Sequence, residues 1–170
     1  MNIDPELPVI AELVLERFRS ENGRIATAES CTGGLISALL TSVAGSSDVF
    51  ERGFATYSNE AKRDIIGVDE ETLEMFGAVS METAIEMATG ALENSQATAS
   101  VAVTGIAGPG GGTTDKPVGL VYIAVANRRE EGAIGEEFRF GDRSRDTIRN
   151  ETVKQAFEML LAYGLLSEEN

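Results

Sequence analysis

The run Leu120-Val121-Tyr122-Ile123-Ala124-Val125-Ala126 is almost unbroken in apolar side chains and lies between Gly119 and Asn127. A strand with one wet face alternates apolar and polar residues, so this pattern belongs to a strand covered on both faces. Such a strand needs a helical layer on each side. The remaining segments supply those layers by alternating between strand-like and helix-like periodicity. Residues 5–19 read as a helix, with Asp4 as N-cap, Pro5 in the first turn, and Leu7, Ile10, Val14 and Phe18 at helical spacing. Residues 24–28 and 49–57 read as strands. Between them, residues 34–43 read as a helix that Gly45 ends.

Further helices are expected over residues 59–66, with Ser58 as cap and Gly67 as terminator, and over 69–76. A longer one follows Ser80, with Met81, Ala84, Ile85, Ala88 and Leu92 on one stripe. Residues 97–103 read as a small-residue strand that Thr104 ends, and 105–117 as a loop. A hairpin over 127–135 leads into a strand at 136–140, and a last helix spans 146–163 before Gly164. These segments specify an α/β fold: a three-layer α/β/α sandwich around a mixed, mostly parallel sheet.

With 170 residues, of which 42% are hydrophobic and 25% charged, residues 1–170 are expected to form a single domain. No segment approaches the roughly 18 consecutive apolar residues of a membrane span, and the N-terminus is acidic rather than signal-like, so a cytoplasmic protein without a membrane partner is expected. Cys31 is the single cysteine and histidine is absent. No ordinary zinc site can be assembled from these, and no metal is expected. The formal net charge of -14 opposes a polyphosphate, so nucleic acid is not an expected partner.

Ligands of open α/β sheets gather beyond the carboxyl ends of strands, and three segments fall there: 30–34, 57–62 and 104–119. They read as walls of one pocket. In Ala26-Thr27-Ala28-Glu29-Ser30-Cys31-Thr32-Gly33-Gly34, Ser30 sits at a sharp strand-to-helix turn. It reads equally as a nucleophile or as an ordinary capping residue. Without histidine, a serine nucleophile must use Lys, Tyr or a carboxylate as base. Lys62, in Tyr57-Ser58-Asn59-Glu60-Ala61-Lys62, is the candidate. An amine that titrates near about 10.4 needs burial or a positive neighbour, such as Arg52, Arg63 or a helix N-terminus, to act at neutral pH. The competing reading makes Lys62 a snorkelling surface residue and Tyr57 a core aromatic with its hydroxyl at the rim. Cys31 is a rival nucleophile, although its side chain should point away from that of Ser30.

The loop from Gly105 through Gly108, Gly110, Gly111 and Gly112 to Gly119 has the composition of a phosphate cradle or of a flexible solvent loop. It is not a Walker A loop, because Lys116 is followed by Pro117 and a strand. Ser30-Cys31-Thr32-Gly33 lacks the Ser-x-x-Lys pattern, the run from Ala26 to Ser30 is not a Gly-x-Ser-x-Gly elbow, and Tyr57 to Lys62 is one residue longer than Tyr-x-x-x-Lys. Dinucleotide-dependent oxidoreduction also lacks its Gly-x-Gly-x-x-Gly entry.

Four ordered motifs, Thr27 to Gly34, Gly53 to Lys62, Gly77-Ala78-Val79-Ser80 and Thr104-Gly105-Ile106-Ala107-Gly108-Pro109, together resemble the CinA C-terminal domain family over nearly the whole chain. The resemblance implies an amidohydrolase without a cofactor that converts nicotinamide mononucleotide to nicotinate mononucleotide and ammonia, in an α/β/α fold that often forms homodimers. It places the nucleophile on Ser30, the base on Lys62, and a tyrosine that orients or relays on Tyr57. Substrate would contact Cys31, Thr32, Gly33, Gly34, Thr104, Gly105, Gly108, Gly110, Gly111 and Gly112. The oxyanion donors are then either those of 31–34 or those around Thr104 and Gly105, with the loop and a basic side chain on the 5'-phosphate. The family's Gly-Asp-Arg motif lies closer to its Ile/Val-Arg pair than Gly141-Asp142-Arg143 does to Ile148-Arg149, so Arg143 and Arg145 both compete for its first arginine.

Overall fold

The computed structural model describes residues 2–130 and 132–164. Five strands, β1 (Ile25–Glu29), β2 (Phe50–Ala55), β3 (Ala99–Gly105), β4 (Leu120–Asn127) and β5 (Ala133–Arg139), form one sheet in the order β2-β1-β3-β4-β5. β1 pairs in parallel with both β2 and β3, whereas β4 is antiparallel to β3 and β5. Only β4 runs against the other strands. The sheet is thus mostly parallel by strand direction, while its ladders divide equally between the two kinds. The apolar run lies in β4, where every residue but Tyr122 and Asn127 is buried.

Among the described residues, six α-helices flank the sheet: α1 (Leu7–Ser20), α2 (Leu35–Thr41), α3 (Asn59–Ile66), α4 (Glu70–Phe76), α5 (Met81–Glu93) and α6 (Arg145–Tyr163). The two faces differ in the size of their side chains. Ile25, Val101, Val103, Val121, Ile123 and Val125 meet α1, α2 and α6 through Leu15, Phe18, Leu40 and Phe157. Ala26, Ala28, Ala102, Ala124 and Ala126 form the other face, under α3, α4 and α5. Those short side chains let α5 approach until the buried Ser100 hydroxyl donates to Ala88 O at 2.6 Å. That bond satisfies a hydroxyl that would otherwise be buried at a cost.

α5 in turn seats α3. A Cβ on Gly90 would lie 1.8 Å from Ile66 O, so the last turn of α3 rests directly on the α5 backbone. The expected caps of α3 are present: Ser58 Oγ accepts from Ala61 N, and Gly67 closes the helix at φ 70°. Ser80 caps α5 in the same way. α1 begins later than expected, at Leu7 with Glu6 in the N-cap position, because Asp4 instead turns the chain through its carboxylate on Glu6 N and its carbonyl on Leu7 N. Thr104 does not end β3. It pairs with Tyr122, and the strand continues to Gly105, where an added Cβ would meet Leu120 O at 2.7 Å. β5 starts at Ala133, ahead of the expected 136, because its ladder with β4 extends to Ala126. The 127–135 connection includes Glu131, which lies outside the described residues.

Candidate active site

The parallel strands β1, β2 and β3 end on one edge of the sheet, and their exits carry Ser30, Tyr57 and the 106–119 loop. Alternation along β1 sends successive side chains to opposite faces. Glu29 goes under α2, with Ile25 and Thr27, and Ser30 goes toward α3. Ser30 N–H still donates to Val103 O, so the nucleophile candidate is held by the sheet even though it lies past the strand. Its hydroxyl accepts a hydrogen bond from Lys62 Nζ at 3.1 Å. Lys62 Nζ donates a second bond to Thr56 O at 2.9 Å.

Lys62 is 1% exposed. It is therefore not a snorkelling surface lysine. Burial disfavours its charged form and lowers its pKa from the ordinary 10.5. Neither arginine considered as the positive neighbour contributes: Arg52 pairs with Glu51 and Arg63 with Asp64 and Glu70, and both guanidinium groups are exposed. Cys31 is buried among apolar side chains of the α2 face. Desolvation, reinforced by the Glu29 carboxylate, pushes its thiol up to about 12. A thiol with that pKa is almost wholly protonated at neutral pH and is a poor nucleophile.

Tyr57 is 63% exposed rather than a core aromatic. Its hydroxyl accepts from Arg145 at 2.9 Å, and the Thr56 carbonyl, not the tyrosine, is the second partner of Lys62. The cause lies in the backbone: β2 ends at Ala55, and the Thr56 N–H donates to Glu29 O, which leaves residue 57 to turn outward. Arg145 also donates to Gly108 O at 2.8 Å, and Arg149, one turn along α6, donates to Thr32 O. The start of α6 thereby ties the Ser30 turn, Tyr57 and the glycine loop together. Arg143 instead pairs with Glu151 at the surface. By position, Arg145 rather than Arg143 lies among these strand-exit segments.

Thr104 directs its hydroxyl to Ala78 O, so that oxygen serves the α4–α5 connection. Gly108 is buried beside Arg145, while Gly110, Gly111 and Gly112 are exposed. A cavity of about 460 Å³ lies between that exposed stretch, Val118, Arg139 and Asp142, away from Ser30 and Lys62. Gly33 N donates to Ser30 O and Gly34 N to Glu29, so neither is free to hold an oxyanion. Cys31 N–H and Thr32 N–H have no backbone partner among the described residues.

Glu29 was not singled out as a functional residue from sequence. It is fully buried, and its carboxylate accepts five hydrogen bonds, from Thr32 Oγ1, Gly34 N, Ile36 N, Ser37 N and Ser37 Oγ. The signal was available in the strand: a carboxylate on an all-buried β1 must find donors, and the hydroxyls and N–H groups of the next turn supply them.

The CinA C-terminal domain family model matches residues 8–163. The chain belongs to this family. Among CinA relatives, the nicotinamide-nucleotide amidohydrolase PncC of Escherichia coli K12 is 47% identical over 157 residues, covering 92% of this chain and 94% of that protein. A putative competence-damage inducible protein of Acetivibrio thermocellus is 52% identical over 164 residues, which are 94% of this chain and 37% of that longer protein. The crystal structure of the competence/damage inducible protein CihA from Agrobacterium tumefaciens superposes with a TM-score of 0.93 at 50% identity, covering 97% of this chain and 99% of that one.

Proposed function

We propose that this CinA domain is a nicotinamide-nucleotide amidohydrolase that uses Ser30 as nucleophile and Lys62 as its base. The observation that carries the mechanism is the 3.1 Å contact between Ser30 Oγ and an amine that is 1% exposed, in a chain without histidine. The likeness to PncC supports the substrate. Neutral Lys62 takes the hydroxyl proton as Ser30 Oγ attacks the carboxamide carbon. The tetrahedral oxyanion is met by the N–H groups of Cys31 and Thr32. Collapse breaks the C–N bond, and the proton on Lys62 leaves with ammonia. A water molecule then attacks the Ser30 ester and gives its proton to Lys62, which passes it to Ser30 Oγ as the C–Oγ bond breaks and nicotinate mononucleotide leaves.

Arg145 and the glycine loop hold the 5'-phosphate in this reading, with Arg145 and Arg149 supplying positive charge inside an otherwise acidic protein. Tyr57 positions Arg145 rather than Lys62. The same reading carries a cytoplasmic homodimer, which sedimentation of the purified protein tests. Among the described residues no helix is long and apolar enough to cross a membrane. The deciding experiment is ammonia release from nicotinamide mononucleotide: wild-type turnover together with its loss in Ser30→Ala is expected. Wild-type-like release from Ser30→Ala would reject the nucleophile, and no release from the wild type would reject the substrate.

A further inference from the structure

We infer that Glu29 is a positioning residue for the nucleophile: its buried carboxylate locks the turn that presents Ser30 to Lys62. This role rests on the Ser30–Lys62 reading above. It concerns a group that touches neither Ser30 Oγ nor Lys62 Nζ. Oε2 accepts from Thr32 Oγ1 at 2.7 Å and from Gly34 N and Ile36 N at 3.0 Å. Oε1 accepts from Ser37 N at 2.8 Å and Ser37 Oγ at 2.7 Å. Ser37 Oγ is bonded in turn to Thr27 Oγ1 at 2.7 Å, back on β1. One strand residue thus grips the turn and the first turn of α2 on both sides of the segment 30–34.

The consequence for the site is twofold. A helix start carries N–H groups without intrahelical partners and attracts anions. Here Gly34, Ile36 and Ser37 direct theirs to Glu29, and Leu35 N turns back to Thr32 O, so substrate phosphate is excluded from α2 and left to the Arg145 side. The bonds on Thr32 and Gly34 also fix the backbone through Cys31 and Thr32, whose N–H groups have no backbone partner among the described residues. A glutamine at 29 keeps the shape but turns an NH2 group toward a ring composed of donors. The turn should then loosen while the sheet persists.

Cys31 is a built-in reporter of that turn, being the single cysteine, next to Ser30, and buried. The experiment compares wild type and Glu29→Gln by circular dichroism, by ammonia release from nicotinamide mononucleotide, and by labelling of Cys31 with a thiol reagent without denaturant. The expected result is a folded Glu29→Gln protein whose kcat falls at least tenfold with KM within threefold, and whose Cys31 labels at least tenfold faster than in wild type. Wild-type kcat with Cys31 still protected overturns the role. So does a loss of activity that only follows the unfolded fraction. Because labelling needs no substrate, it tests the turn even if nicotinamide mononucleotide proves not to be hydrolysed. If Glu29→Gln does not fold, Ser37→Ala, which removes the hydroxyl at Oε1, provides the test: faster labelling of Cys31 in a folded protein is expected, and unchanged labelling and kcat overturn the role.

Discussion

Replacing Lys62 with methionine separates catalysis from folding, because the residue enters the two with different signs. Methionine nearly matches the lysine stem in length and is at home in a site that is 1% exposed. The substitution removes the bond to Thr56 O, worth about 1 kcal/mol, and exposes that carbonyl to a desolvation cost of about 1–3 kcal/mol. It also removes an amine that burial penalises when charged. These effects oppose one another. The fall in Tm is therefore expected to be smaller than the roughly 4–16 °C that a loss of about 2–4 kcal/mol would give at about 2–4 °C per kcal/mol. Turnover has no such compensation: loss of a general base lowers rate by about 10²–10⁴, or roughly 3–5 kcal/mol in barrier. Ammonia release should therefore collapse in kcat while KM and fold persist.

The pH profile gives a sharper readout of the same lysine. In the proposed mechanism a neutral amine is the base, so wild-type kcat should rise with pH toward the Lys62 pKa, which lies below 10.5, and the rise should vanish in Lys62→Met. The linkage runs the same way: because the folded pKa is the lower one, the unfolded chain binds the extra proton between the folded value and 10.5, and this group's contribution to stability increases with pH across that window. A variant that keeps more than a tenth of kcat, or that loses activity only as it unfolds, refutes the assignment.

Cys31→Ala should keep kcat within about threefold and lose only about 1 kcal/mol of stability, since a thiol pushed up to about 12 is packing rather than chemistry; a hundredfold fall in kcat would restore the thiol as nucleophile. Arg145→Ala removes charged bonds of about 1.5–3 kcal/mol each, and should raise KM for the mononucleotide about tenfold or more. Arg143→Ala, which breaks only a 3.6 Å surface pair worth about 0–1 kcal/mol, should leave KM unchanged, and an inverted result would reassign the phosphate contact.

What was legible from the sequence follows from how locally each feature is determined. Ser58 and Gly67 delimit α3 because a cap and a left-handed terminator act within one turn. β4 announced its burial because both of its faces are read from one run of residues. Strand ends were less legible: β3 passes through Thr104 because Tyr122 and Val121 of another strand continue the ladder. The same holds for the side chains of the site. Ser30 and Lys62 stood out by type and by their places at strand exits, but the direction of Tyr57 depended on how the backbone leaves β2, and the choice of Arg145 over Arg143 on where α6 begins.

Glu29 joins these two levels. In β1 it looks like one more polar residue before a turn, and its role becomes visible only when the alternation Ile25, Thr27, Glu29 is followed into the fully buried α2 side of the sheet. A carboxylate there needs donors, and the turn Thr32 to Ser37 offers five bonds from hydroxyl and backbone groups. The same alternation puts the next residue, Ser30, on the face where Lys62 waits. The proposed anchor and the proposed nucleophile are adjacent in sequence because alternation along the strand sends them to opposite sides of one sheet, where Glu29 is held by five bonds and Ser30 meets Lys62.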